Sequence, residues 1–145
     1  KGYAQQHAID YDETFTPVAK MKTICVLIAV AATKGWQLHQ MDVKNAFSQG
    51  ELEEQVYMVQ PPDFSPTEHV GSMPIKEVLY GLKQALRTWN AKITQQLRRM
   101  GFVTSKLDSS LFIRQGRLGP VSILLYLDDL VIAGVDLDEI GHGLI

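Results

Sequence analysis

Hydrophobic positions change their period several times along the chain, and each change marks an element. From Met21 to Thr33 the run MKTICVLIAVAAT is apolar on nearly every side and gives way to Lys34-Gly35. This predicts a buried helix with a basic last turn and a glycine stop. Trp36 to Val43 then alternates Trp36, Leu38 and Gln40 against Gln37, His39 and Met41, a period of two that suits a strand ending at Asp42. Gly50 and an acidic turn, Glu51 to Glu54, lead into QVYMV, a second short strand closed by Pro61-Pro62. The stretch 61–74, PPDFSPTEHVGSMP, reads as a surface loop. Helical spacing returns at Leu86, Trp89, Ile93, Leu97 and Met100, one apolar stripe that Gly101 ends. SLFIR (110–114), the turn residues Gly116 to Pro120, and the runs VSILLYL and LVIAG then predict three strands.

The last two runs are separated only by Asp128 and Asp129, which places both acids at a hairpin tip. Such tips favour Asn-Gly or Asp-Gly, because the commonest type needs left-handed φ at both positions, so a tip without glycine is strained. A plain turn with two solvated acids is the competing reading. Adjacent carboxylates repel each other, and a bound cation is the simplest relief. Asp42 closes another predicted strand and by itself reads as a cap or turn residue. Together the three acids form an oxygen-only donor set suited to Mg²⁺, which keeps several waters and binds through carboxylates and substrate phosphates. Two such ions can activate an attacking hydroxyl and stabilise a leaving oxygen at phosphorus. The chemistry suggested is phosphoryl transfer.

Composition narrows the setting. With 145 residues, 46% apolar and 21% charged, one folded domain with one sizeable core is expected. The net charge of −2 gives no global reason to expect a polyanionic partner, so nucleic-acid binding has to be argued locally. The local argument is the stretch Gly81 to Lys106, which contains Lys83, Arg87, Lys92, Arg98, Arg99 and Lys106 and no acid. Composition alone favours the plainer reading, a solvated helix face. Ile24 to Ala32, the longest uninterrupted apolar stretch, is far shorter than the roughly 20 residues of a membrane span, and no membrane partner is expected. The acidic opening KGYAQQHAIDYDE does not read as a secretory signal. The single Cys25 reads as a small buried hydrophobe, and His7, His39, His69 and His142 lack metal-ligand spacing.

The ordered blocks KGYAQQHAIDYDETFTPVAKM, QMDVKNAF, QVYMVQPPDF, VLYGLKQALRTW, DSSLF and LLYLDDLVIAG together resemble the reverse transcriptase domain of copia-type long-terminal-repeat retrotransposons. The tetrapeptide Tyr126-Leu127-Asp128-Asp129 resembles the family's Tyr-Val-Asp-Asp box. The resemblance implies an α/β (α+β) fold: a polymerase palm-like small antiparallel sheet backed by helices, with partial fingers. Fingers-like parts would fall at about 1–35 and 51–85, palm-like parts at about 36–50 and 86–145, in a single partial domain. It implies an RNA-directed DNA polymerase with catalytic Asp42, Asp128 and Asp129, and two Mg²⁺ ions, replaceable by Mn²⁺, held by these acids and the Val43 carbonyl. Phe47 would be the steric gate against a 2′-hydroxyl, and Tyr80, Gly81 and Lys83 would contact nucleotide and template. Phe47 as a core aromatic and LYGLK as a turn into the next helix are the plainer readings. Arg87, Lys92, Arg98 and Arg99 would lie along the nucleic-acid backbone.

The implied partners are an RNA or DNA template with its primer, deoxynucleoside triphosphates, and the remainder of a Pol polyprotein carrying further fingers, a thumb and ribonuclease H. The implied location is intracellular, in a cytoplasmic virus-like particle. Leu86 stands where the family usually has proline, so a fixed φ at the helix entry is lost. Asn90 and Ser48 also depart from the family's habits. Two alternatives stay open: a catalytically inert, nucleic-acid-binding remnant of a decayed element, and a two-metal nuclease, for which no Lys or His base is evident.

Overall fold

The computed structural model describes residues 2–43, 51–59, 72–77 and 81–135, the two middle segments by their backbone alone. The chain forms two compact units, Lys1–Phe15 with Asn45–Trp89, and Thr16–Lys44 with Asn90–Ile145.

The second unit is built on a five-stranded antiparallel sheet in the order β1-β7-β6-β5-β4. Its strands are β1 (Gln37–Asp42), β4 (Val103–Thr104), β5 (Leu111–Gln115), β6 (Pro120–Tyr126) and β7 (Asp129–Gly134). The central strand β6 is buried from Val121 through Leu125, which explains a continuous apolar run there instead of an alternating one. One face of the sheet packs Leu124, Val131, Ala133 and Leu111 in one cluster with Ile24, Leu27 and Ala31 of helix α1 (Met21–Lys34) and with Trp36 just after it. By strand alternation the other face carries Phe112, Val121, Ile123, Leu125, Leu130 and Ile132, all buried. Arg114 on that face reaches the end of helix α2 (Ala85–Arg99): its Nη1 donates to the Met100 carbonyl at 3.0 Å, and its guanidinium lies over the Phe102 ring.

Helix α1 ends at Gly35, whose N–H reaches the Ala31 and Ala32 carbonyls and whose left-handed φ of 65° turns the chain so that the Trp36 N–H donates to the Ala31 carbonyl at 2.9 Å. Most residues tolerate that conformation poorly and glycine does not. Its start is held from a distance. Lys20, the N-cap, makes no side-chain cap bond. The buried Asp108 carboxylate accepts instead from the Lys20 N–H at 2.9 Å and from the Thr23 hydroxyl at 2.6 Å, placing a negative group where the helix dipole favours one.

The first unit contains the short 3₁₀ turn Gly2–Ala4, the strands β2 (Glu51–Val59) and β3 (Ser72–Glu77), and the first turns of α2. β2 and β3 pair antiparallel with an irregularity between Glu51 and Val56.

Several expectations change. α1 is not buried all round: only Leu27 and Ala31 are, while Met21, Val26, Ile28 and Val30 are exposed. Cys25 is exposed too. Apolarity alone does not say which stripe finds a neighbour. The acidic stretch Glu51 to Glu54 is strand, not turn, and the predicted loop 61–74 gives way to β3 at Ser72. α2 forms without the usual proline, with Leu86 in its first turn, where an unsatisfied N–H is ordinary whether or not proline removes it. No helix among the described residues is long and apolar enough to cross a membrane.

Candidate functional site

Strands β1 and β7 are remote in sequence but adjacent in the sheet, with Met41 opposite Leu130 and Asp42 opposite Asp129. Directly opposed residues of an antiparallel pair project to the same face, with Cβ atoms about 4.5–5.5 Å apart. Asp42 and Asp129 are therefore neighbours at one end of the sheet, on the face that α1 covers further along. The β6–β7 hairpin also corrects the expected tip. Tyr126 pairs with Asp129, so the two-residue turn is Leu127-Asp128, and Asp129 is the first residue of β7. Leu127 carries the strain, with φ at 56°, a conformation uncommon for a non-glycine residue. The Val43 N–H donates to the Asp128 carbonyl at 3.4 Å, which ties the end of β1 to the turn.

The three acids thus sit on adjoining backbone positions. Asp42 is exposed, and Asp128 and Asp129 are half-buried. Among the described residues no three acidic, histidine or cysteine side chains close into a metal cage. The donor chemistry fits Mg²⁺ nonetheless, since that ion keeps waters and needs only one or two carboxylates before substrate phosphates complete its shell. Two like charges set opposite each other across a ladder are destabilising, so a cation would relieve a cost already built into the sheet. Phe47, the expected steric gate, and Tyr80, an expected nucleotide contact, lie outside the described residues.

Gly81 and Lys83 belong to the other unit. Gly81 has φ of 91°, and Lys83 is exposed. The Lys83 ammonium donates to the Gln5 carbonyl at 3.2 Å and to the Tyr11 hydroxyl at 3.3 Å, and lies 5.1 Å from the Tyr11 ring centroid. The basic residues Arg87, Lys92, Arg98 and Arg99 are all exposed on α2. Asp108 carries a local signal that hydrophobic periodicity does not reveal: an Asp followed by Ser-Ser suits an Asx turn, and its Oδ1 accepts from the Ser110 N–H at 3.0 Å. Burial raises its carboxyl pKa, but the Thr23 hydroxyl, the Lys20 and Ser110 N–H groups and the Lys20 charge outweigh this and hold it below the usual value.

The family model for reverse transcriptase (RNA-dependent DNA polymerase) matches residues 1–143. The chain belongs to that family. It is 43% identical over 137 residues to a retrovirus-related Pol polyprotein from transposon RE1 of Arabidopsis thaliana, covering 94% of this chain and 9% of the relative. Transposon RE2 of the same plant gives 41% identity, covering 99% of the chain and 10% of the relative. Transposon TNT 1-94 of Nicotiana tabacum gives 36%, covering 94% and 10%. The chain therefore corresponds to about a tenth of the length of these Pol polyproteins and resembles the copia-type reverse transcriptase segment within them. No solved structure matches it.

Proposed function

We propose that this segment carries the metal-binding acids of an RNA-directed DNA polymerase, in which a primer 3′-hydroxyl attacks the α-phosphorus of a deoxynucleoside triphosphate and pyrophosphate leaves. The observation that carries the reading is the opposition of Asp42 and Asp129, with Asp128 in the adjoining turn. Asp42, Asp128 and Asp129, with the Val43 carbonyl, would hold Mg²⁺, which when bound supplies charge neutralisation and a more acidic primer hydroxyl. The chain's own part is placement: β1 and β7 fix two acids by backbone pairing, and a strained turn fixes the third. Such catalysis is mostly positioning and electrostatics, so no side-chain nucleophile is required. Gly81 and Lys83, with Tyr80, would contact nucleotide and template. Phe47 would select against ribose, and the α2 cations would meet phosphates.

The test is primer extension on an RNA template by a chimera in which these 145 residues replace the matching segment of the RE1 relative. Extension that needs Mg²⁺ or Mn²⁺ and is lost in Asp42→Asn and Asp128→Asn supports the reading. Equal extension by the chimera and both variants overturns it. A chimera that binds the primer–template without extending it favours an inert remnant.

A further inference from the structure

The N-terminal segment of the first unit is closed on itself before it touches anything else. The Ala8 N–H donates to the Tyr11 carbonyl at 2.9 Å, the Asp10 N–H to the Gln6 carbonyl at 2.9 Å, and the Gln6 N–H to Asp10 Oδ2 at 2.8 Å. His7 meets the Tyr11 ring edge-on, and its Nε2 lies 2.9 Å from the Asp12 carbonyl. A single non-glycine residue, Ala8, takes a positive φ of 65° to make this closure. So much internal bonding in so short a stretch makes a rigid part.

That part is locked to the turn before α2 by two glutamines. Gln84 is 2% exposed, and a primary amide so buried must satisfy both its ends. It does: Nε2 donates to the Asp10 carbonyl at 3.0 Å, and Oε1 accepts from Gln5 Nε2 at 2.9 Å. Gln5 spends its other end on the turn itself, where its Oε1 accepts from the Lys83 backbone N–H at 2.9 Å. The Gln5 carbonyl takes the Lys83 ammonium as well. One residue therefore holds both ends of Lys83, and a second, buried, holds that residue in place. For a surface turn that merely starts a helix, this is far more constraint than the fold needs, since Ala85 and Thr88 already find backbone acceptors in Leu82 and Gln84.

We infer that the Gln5–Gln84 amide pair is a positioning device that presets Lys83 for a backbone phosphate of the bound template–primer. This rests on the polymerase reading for the identity of the ligand. An ammonium has three donors, of which the Gln5 carbonyl and the Tyr11 hydroxyl take two. Among the described residues no acceptor takes the third, which is left for an anion, and a lysine already fixed loses less freedom on meeting one.

The test uses the 145-residue chain and a fluorescein-labelled DNA primer annealed to an RNA template, with affinity read by anisotropy across a salt series. A phosphate contact contributes about 0.9 to the slope of log affinity against log salt, so Lys83→Ala should lower the slope by about that amount. Gln5→Ala and Gln84→Leu should weaken binding severalfold and lower the slope in the same sense. In the Lys83→Ala background, Gln5→Ala should change nothing further. Gln5 is only half-buried, so its variant keeps the test alive if Gln84→Leu does not fold. Unchanged slopes in Gln5→Ala and Gln84→Leu, or an equal loss of affinity with and without Lys83, overturn the proposal. So does an unaltered slope in Lys83→Ala. The polymerase reading is judged separately, by extension in Asp42→Asn and Asp128→Asn, and survives any of these results.

Discussion

At the scale of single residues, Leu127 and Asp42 make opposite contributions that mutation can separate. The left-handed backbone at Leu127 costs a non-glycine residue about 1–2 kcal/mol. Leu127→Ala keeps that strain and loses the side chain, whereas Leu127→Gly loses the side chain and relieves the strain. In urea denaturation the glycine variant should be the more stable by about 1 kcal/mol, the reverse of the order found inside strands. Asp42 stands against Asp129, and like charges so placed cost about 0.2–1 kcal/mol. Asp42→Asn should therefore raise the melting temperature slightly in chelator. In about 10 mM Mg²⁺, a site of about 1 mM would stabilise the original chain by about 1.4 kcal/mol, and the variant should lose most of that gain. An identical Mg²⁺ response in both chains would place the ion elsewhere. The three acids themselves were legible in the sequence as strand-end and hairpin residues. Their one-position offset was not, because two apolar runs around Asp-Asp do not show that Asp129 pairs with both Tyr126 and Asp42.

Among elements, α1 shows how far periodicity reaches. Its boundaries were readable from the apolar run and from Lys34-Gly35, but its burial was not, since an all-apolar helix names no preferred stripe. Its N-terminal support could not be read locally at all, because Asp108 lies far along the chain, in the loop before β5. Asp108→Ala removes the acceptor for the Lys20 and Ser110 N–H groups and the Thr23 hydroxyl, and should cost about 3 kcal/mol by denaturation. The pH dependence has a definite sign. A carboxyl held below its ordinary pKa of about 3.9 stabilises the fold fully above that value and stops doing so as pH falls through the lower folded value. Asp108→Asn should flatten this part of the acid limb, as read by melting temperature between neutral and strongly acid pH. β2 and β3 were obscured for a different reason: Glu51 to Glu54 and Pro74 have the composition of turns, yet lie in paired strands. Tertiary pairing overrides such weak preferences.

For the molecule as a whole, family membership was legible because it rests on several blocks in a fixed order, whereas the division into two units left no mark in composition or charge. Size sets the final prediction. The three plant relatives match it over only 9–10% of their length, and nucleotidyl transfer draws most of its rate from holding primer, template and triphosphate in register. On the polymerase reading, three acids at one end of a sheet would gather metal and neutralise phosphate charge, but they would not hold the far ends of a duplex. A misplacement of about 1 Å alone can cost about a hundredfold in rate. The 145-residue chain should therefore bind a primer–template weakly and with strong salt dependence, and extend it at least about a hundredfold more slowly than the chimera with the RE1 relative. Single-turnover extension of an oligo(dT) primer on poly(rA), with both proteins at saturating primer–template, measures the ratio directly. Equal rates would mean that the acids and the elements around them supply all of the positioning that the chemistry requires.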